Sequence, residues 1–126
     1  MALANSNIKN QRFSPYNVKQ GQARSRQAQD LSADGAITII DGVVSLSKAG
    51  VGAYTLPVPA LTSNTGILNI VSTTANAHVI TQSTTGFNAK GSSGTLTFGG
   101  AIGDSVILLI DNGNYYTLST LNVTPA

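Results

Sequence analysis

Cysteine, tryptophan and glutamate are all missing from this chain of 126 residues. Without cysteine there is no disulfide staple and no cysteine-based zinc site. Charge of either sign is scarce, at 10% of residues, against about 25% in ordinary soluble domains. A surface so poor in charge and rich in Ser, Thr, Asn and Gly suits a chain whose exterior meets protein neighbours. No run approaches the roughly 18 apolar residues that a bilayer-spanning helix needs, so no membrane association is expected. The opening Met1-Ala2-Leu3-Ala4-Asn5 has neither the basic nor the apolar region of a signal peptide. Synthesis in the cytoplasm is therefore expected, with use or assembly there.

Residues able to do chemistry are equally thin. His78 is the single histidine, with no carboxylate near it in sequence; it lacks the spacing of a metal site or a triad and is expected to be a structural or surface residue. General acid–base catalysis normally needs two placed titratable groups. Asp41 and Asp111 lie in turn sequences, Asp104 follows Gly103 before a strand, and Asp34-Gly35 reads as another turn. A calcium site drawing on Asp30, Asp34 and Asp111-Asn112-Gly113 lacks the EF-hand spacing. Gly99-Gly100-Ala101-Ile102-Gly103 precedes no helix and no Lys-Ser/Thr pair, so it is no phosphate loop. The expectation is a chain without enzymatic activity, cofactor or metal.

What is present is an uneven distribution of charge. Residues 1–29 hold Lys9, Arg12, Lys19, Arg24 and Arg26 and no acid, a charge of +5. From Asp30 onward two lysines face five aspartates, 2 − 5 = −3, which completes the formal net +2. Pro15 stops a helix through the first segment, and no apolar face is discernible there. The expected organisation is an extended basic arm over 1–29 and a β-rich body over 30–126. Within the arm, Phe13 and Tyr16 are candidate anchors, and Lys9, Arg12, Lys19, Arg24 and Arg26 supply the charge. Such cations neutralise phosphates in a salt-dependent way. No nucleic-acid-binding module accompanies them, however, which favours an acidic protein surface as partner.

From Ala36 the pattern has a period of two. Segments 36–40, 43–47, 53–56, 66–72, 78–81, 95–98, 105–110 and 115–119 read as strands. Asp41-Gly42 reads as a two-residue hairpin turn, as does Asp111-Asn112-Gly113-Asn114. In Gly66–Ser72, residues Ile67, Asn69 and Val71 share one face, and Leu68, Ile70 and Ser72 the other. Ser105–Ile110 is the most apolar strand and is expected inside a sheet. Adjacent Tyr115 and Tyr116 must face opposite ways, one to the core and one to the surface. Together with Tyr54 the outward tyrosine is a candidate sugar platform. About eight short strands with frequent turns predict a small antiparallel β-sandwich or barrel. The absence of a fixed repeat argues against a solenoid.

Three stretches carry a family resemblance: Asp34–Gly50 (DGAITIIDGVVSLSKAG), Ile67–Gln82 (ILNIVSTTANAHVITQ) and Gly86–Ser119, with TFGGAIGDS followed by the NGNYY hairpin. In this order they resemble the small head decoration, or cement, proteins of tailed bacteriophages. The likeness spans roughly residues 34–119 and leaves the arm uncovered; its motifs are turn glycines and alternating strands. It implies a structural virion protein that assembles as a homo-oligomer, often a trimer. Such a protein would bind the major capsid protein on the capsid exterior after assembly in the host cytoplasm. The arm residues named above would be the capsid-binding residues. Two other readings remain open: a host-recognition or carbohydrate-binding knob, and nucleic-acid binding through the arm.

Overall fold

Alternation of apolar and polar residues makes strands here because each can bury one side chain in two against a facing sheet. The structure, a computed structural model, describes residues 27–126. They form ten strands and no helix: β1 (Gln27–Leu31), β2 (Gly35–Ala36), β3 (Gly42–Leu46), β4 (Ala53–Thr55), β5 (Gly66–Ser72), β6 (Val79–Gln82), β7 (Gly94–Phe98), β8 (Ser105–Asp111), β9 (Asn114–Leu121) and β10 (Val123–Pro125). They build two five-stranded sheets, β9-β8-β5-β3-β1 (sheet I) and β10-β7-β6-β4-β2 (sheet II). The expected β-sandwich is present; neither sheet closes into a barrel.

The topology differs from the antiparallel expectation. Four of the eight strand pairings are parallel: β1 with β3, β3 with β5, β2 with β4, and β4 with β6. The remaining four are antiparallel. The first six strands therefore alternate between the sheets, I, II, I, II, I, II, as a coil of three turns, and β7–β10 close that coil with antiparallel partners. The turns differ in length. Gln27 pairs with Gly42, and Gly42 with Leu68; Gly35 pairs with Tyr54, and Tyr54 with Ile80. The offsets are 15 and 26 residues in sheet I, 19 and 26 in sheet II. A coil is thus present without a fixed sequence period, which is why the search for a repeat missed it.

Asp41-Gly42 is not a hairpin. The chain crosses there from sheet II into sheet I, and β3 pairs with β1 and β5 rather than with the segment just before it. Gly42 has φ +139°, and a Cβ at this position would overlap the carbonyl oxygen of Gln27. The glycine allows two parallel strands to approach where the coil begins. The second expected turn does form: Asn112 (φ 48°) and Gly113 (φ 81°) join β8 to β9, with Asn114 opposite Asp111. Two left-handed central residues suit a type I′ hairpin, whose twist matches that of the strands.

The core lies between the sheets. Val44, Leu46, Leu68, Ile70, Val106, Leu108 and Ile110 come from sheet I, and Tyr54, Ile80, Leu96, Phe98 and Val123 from sheet II; Ile37, Leu56 and Phe87 enter from connections. At the first turn Leu31 packs on the core, and the other two inward positions of β1 are polar. Gln29 is in register with the buried Val44, yet its amide spans the gap between the sheets. It donates to the Ala36 carbonyl (3.0 Å) and accepts from the Thr38 N–H (2.9 Å). Gln27 accepts from the N–H groups of Ile40 and Asp41, both at 3.3 Å. These two side chains satisfy backbone groups that no strand serves. The strand also begins three residues inside the segment expected to be arm, because Gln27–Gln29 pair with Gly42–Val44.

Candidate functional site

The seven arm residues singled out for binding, Lys9, Arg12, Phe13, Tyr16, Lys19, Arg24 and Arg26, lie outside the described residues. Within the described residues, titratable side chains gather at the end of the sandwich where the chain passes from sheet I to sheet II. Connections 32–34, 47–52, 73–78 and 99–104 and residue Asn122 meet there.

Asp34 and Lys48 form a clamp across the first two turns. One carboxylate oxygen accepts the Lys48 Nζ at 2.9 Å and the Ala53 N–H at 3.0 Å. The Ala53 N–H, then Lys48, hold this carboxyl below its usual range. Lys48 also donates to the Val51 carbonyl (3.1 Å). The clamp is exposed and screened by water, so it ties the first turn to the second only weakly.

His78 lies one register position from the paired Val79 and Ala53, directly over Gly52. It is fully buried, 0% exposed. The Gly52 N–H donates to its Nδ1 (2.9 Å), and Nε2 lies 2.9 Å from the Thr74 hydroxyl. That hydroxyl donates to the Lys48 carbonyl (3.0 Å), so it must accept from the ring. The bonds define the tautomer: Nδ1 is bare, Nε2 carries the proton, and the ring is neutral. Burial first, and the nearby Lys48 charge second, push its pKa below the usual histidine value. The edges of Tyr54 and Phe98 pack against it at centroid distances of 5.6 and 6.5 Å. Of the two roles expected for His78, the structural one is observed.

Asp104 is buried and organises the 99–104 turn. Its oxygens accept from the Ala101 N–H (2.8 Å) and the Asn122 amide (3.0 Å). These bonds, the Ala101 N–H foremost, keep it ionised below the usual carboxylate range. Gln82 plays the same part at the opposite end, accepting from the N–H groups of Thr84, Thr85 and Gly86.

The calcium arrangement considered from sequence does not assemble. Asp30 and Asp34 sit at the His78 end, and Asp111 ends β8 at the other, accepting from the Asn64 N–H. Among the described residues no group of three or more His or Asp side chains is placed to hold a metal ion. The sugar platform also loses a member. Tyr54 is 1% exposed, with its hydroxyl packed against Gly52. Tyr115 is buried too, donating to the Pro57 carbonyl (2.9 Å). Of the three tyrosines considered, only Tyr116 turns outward.

The surface feature that sequence reasoning passed over is the outer face of sheet I. Register places three rows across it: Tyr116, Leu109 and Ile67; Ser119, Ile107, Asn69, Val43 and Ala28; Leu121, Ser105, Val71, Ser45 and Asp30. Val43 and Ile67 are 39% and 37% exposed. Its signal was in the sequence: β5 and β8 are apolar on both faces, whereas a sandwich strand needs only one. Sheet II turns outward Ala53, Val79, Thr97 and Thr124 in one row and Ala36, Thr55, Thr81 and Thr95 in the next.

These features define an all-β sandwich with a coiled parallel half, a sheet face rich in apolar side chains and, at one end, a set of polar side chains engaged by backbone and by one another. Comparison with known protein families, characterised proteins and solved structures finds no match to this chain.

Proposed function

We propose that this chain is a structural assembly protein of a tailed-phage head, a decoration or cement protein on the outer capsid surface. In this reading the basic amino-terminal segment grips the major capsid lattice, and the sandwich is displayed outside as part of a homo-oligomer. The observation that carries it is the charge split, +5 before Asp30 and −3 from Asp30 onward. A basic segment is drawn to an acidic shell while the body that follows is repelled from lying flat on it. The capsid is the partner chosen because of the resemblance carried by residues 34–119. Many copies around a shell would add modest single affinities into stable coverage.

The test is co-sedimentation of the full chain with expanded, undecorated capsids at low and moderate salt. Alongside it runs a variant with Lys9, Arg12, Lys19, Arg24 and Arg26 all changed to Gln. A deletion should stop at residue 26, because removing Gln27–Gln29 takes three of the five residues of β1 with it. Saturable binding that falls at least tenfold in the Gln variant is expected. Full capsid occupancy by that variant overturns the reading. Tight binding of duplex DNA in place of capsids would move the arm's target to nucleic acid.

A further inference from the structure

We infer that the outer face of sheet I is a self-association surface, covered in solution by the same face of a second copy. The inference rests on the homo-oligomer part of the reading above, names the surface, and replaces the trimer that the resemblance implies with a two-fold pair.

The face is largely apolar and poor in charge. Ala28, Val43, Ile67, Val71, Ile107, Leu109 and Tyr116 occupy it around Asn69, with Asp30 at one margin. Strands spaced about 4.8 Å apart, with two or three outward positions each about 6.8 Å apart, give a footprint of roughly 400 Å². A patch of that order is among the largest that a soluble monomer exposes, and such patches often mark an interaction surface. Pairing two such faces covers roughly 800 Å², the size of a weak interface. Association is therefore expected to depend on concentration.

Charge decides between occupants. The basic segment before Asp30 carries five cations, and this face offers them one marginal carboxylate, so the arm is a poor cover for it. An anionic lipid surface would meet Asp30 and the neighbouring Asp41 and Asp111 instead of the cations that such binding uses. A second copy presents no charge to the apolar centre. Each face can also meet its twin through a two-fold axis, the self-complementary arrangement that closes a dimer. Packing of two sheet faces is the same physics that already holds sheet I to sheet II. Sheet II is the internal control: its outward rows are mainly threonine and need no cover.

The experiment measures the mass of the full chain in solution from 5 to about 200 µM, by light scattering after size exclusion and by sedimentation equilibrium. A concentration-dependent shift to twice the 12.9 kDa chain mass is expected. It should strengthen with salt, since only rim carboxylates are screened. The double variant Val43→Lys/Ile67→Lys should raise the half-association concentration more than tenfold, and Thr81→Lys/Thr97→Lys should leave it unchanged. Because the chain has no cysteine, Asn69→Cys supplies a second readout that tolerates the failure of a lysine variant to fold. Mild oxidation should cross-link it, and should not cross-link Thr81→Cys. A monomer throughout the range, a threefold mass, or cross-linking at position 81 equal to that at 69 overturns the inference. Arm-dependent capsid binding by a chain that stays monomeric would sink this inference alone. A dimer that ignores capsids would sink the capsid reading alone.

Discussion

Sheet I shows solvent Val43, Ile67, Val71, Ile107, Leu109 and Tyr116, while sheet II shows it Thr55, Thr81, Thr95, Thr97 and Thr124. The two sheets otherwise share one plan, with two parallel pairings followed by two antiparallel ones. Their inward rows supply the same class of side chain to one core. Folding requires only those inward rows. The contrast outside is therefore not a requirement of the fold, and it separates a face rich in apolar side chains from one rich in hydroxyls. Threonine suits the second face because its branched Cβ favours extended backbone while its hydroxyl remains hydrated.

The comparison can be broken first in the core, where the sheets are expected to be equivalent. Leu108 of sheet I and Leu96 of sheet II are both wholly buried. Leu108→Ala and Leu96→Ala should each cost about 3 kcal/mol in urea denaturation, within the usual 2–5 kcal/mol. A much smaller cost for Leu96→Ala would make sheet II an appendage rather than half of the core.

The next effect comes from the tie between hairpin β8–β9 and the 56–65 connection. Burial pushes the Tyr115 hydroxyl up to about 12 from 10.0. The folded state keeps a proton that the unfolded chain releases above pH 10. The associated stability is complete below pH 10 and is lost as pH rises toward 12, a total of roughly 2–3 kcal/mol. Unfolding followed between pH 9 and 12 should show this alkaline fall, and Tyr115→Phe should flatten it. A wild-type curve already flat across that window would show that the Tyr115 hydroxyl is not buried in the folded protein.

A smaller effect sits at the sheet II side of the polar end. His78 is buried neutral, its folded pKa below 6.5. The unfolded chain then binds a proton that the folded one refuses. Stability is full above pH 6.5 and declines as pH falls through the window below it. Asp34 and Asp104, both lowered from 3.8, contribute above that value and lose their contribution only as pH falls further. Two separate acid steps are expected in urea midpoints, and His78→Gln should remove only the upper one. Its persistence in that variant would place the titration elsewhere.

Much of the fold was legible where the deciding forces are local. The alternation in β5 separated Leu68, Ile70 and Ser72 from Ile67, Asn69 and Val71, and the structure turns the first set inward. Asn112-Gly113 made its hairpin because its residues accept the left-handed backbone that the turn demands. Asp41-Gly42 carries an equally strong local signal and makes no hairpin, because parallel pairing over 15 and 26 residues overrides it. Polar Gln27 and Gln29 read as arm since nothing in their own composition marks a strand; their role depends on backbone groups up to 14 residues away. His78 was legible as a structural or surface residue by its isolation. Its partners Gly52 and Thr74 were not, because they are brought to the ring by the stacking of coil turns.

The two glutamines have a consequence beyond stability. Parallel coils grow by adding rungs, and a first rung with bare apolar positions would be a template for another chain. Gln27 and Gln29 occupy those positions and spend their amides on the neighbouring backbone instead. Val at both sites would leave three backbone N–H groups unserved and extend the apolar stripe to the end of the coil. Other chains could then add to that end and open a route to fibres, so these side chains close the end of the coil among the described residues.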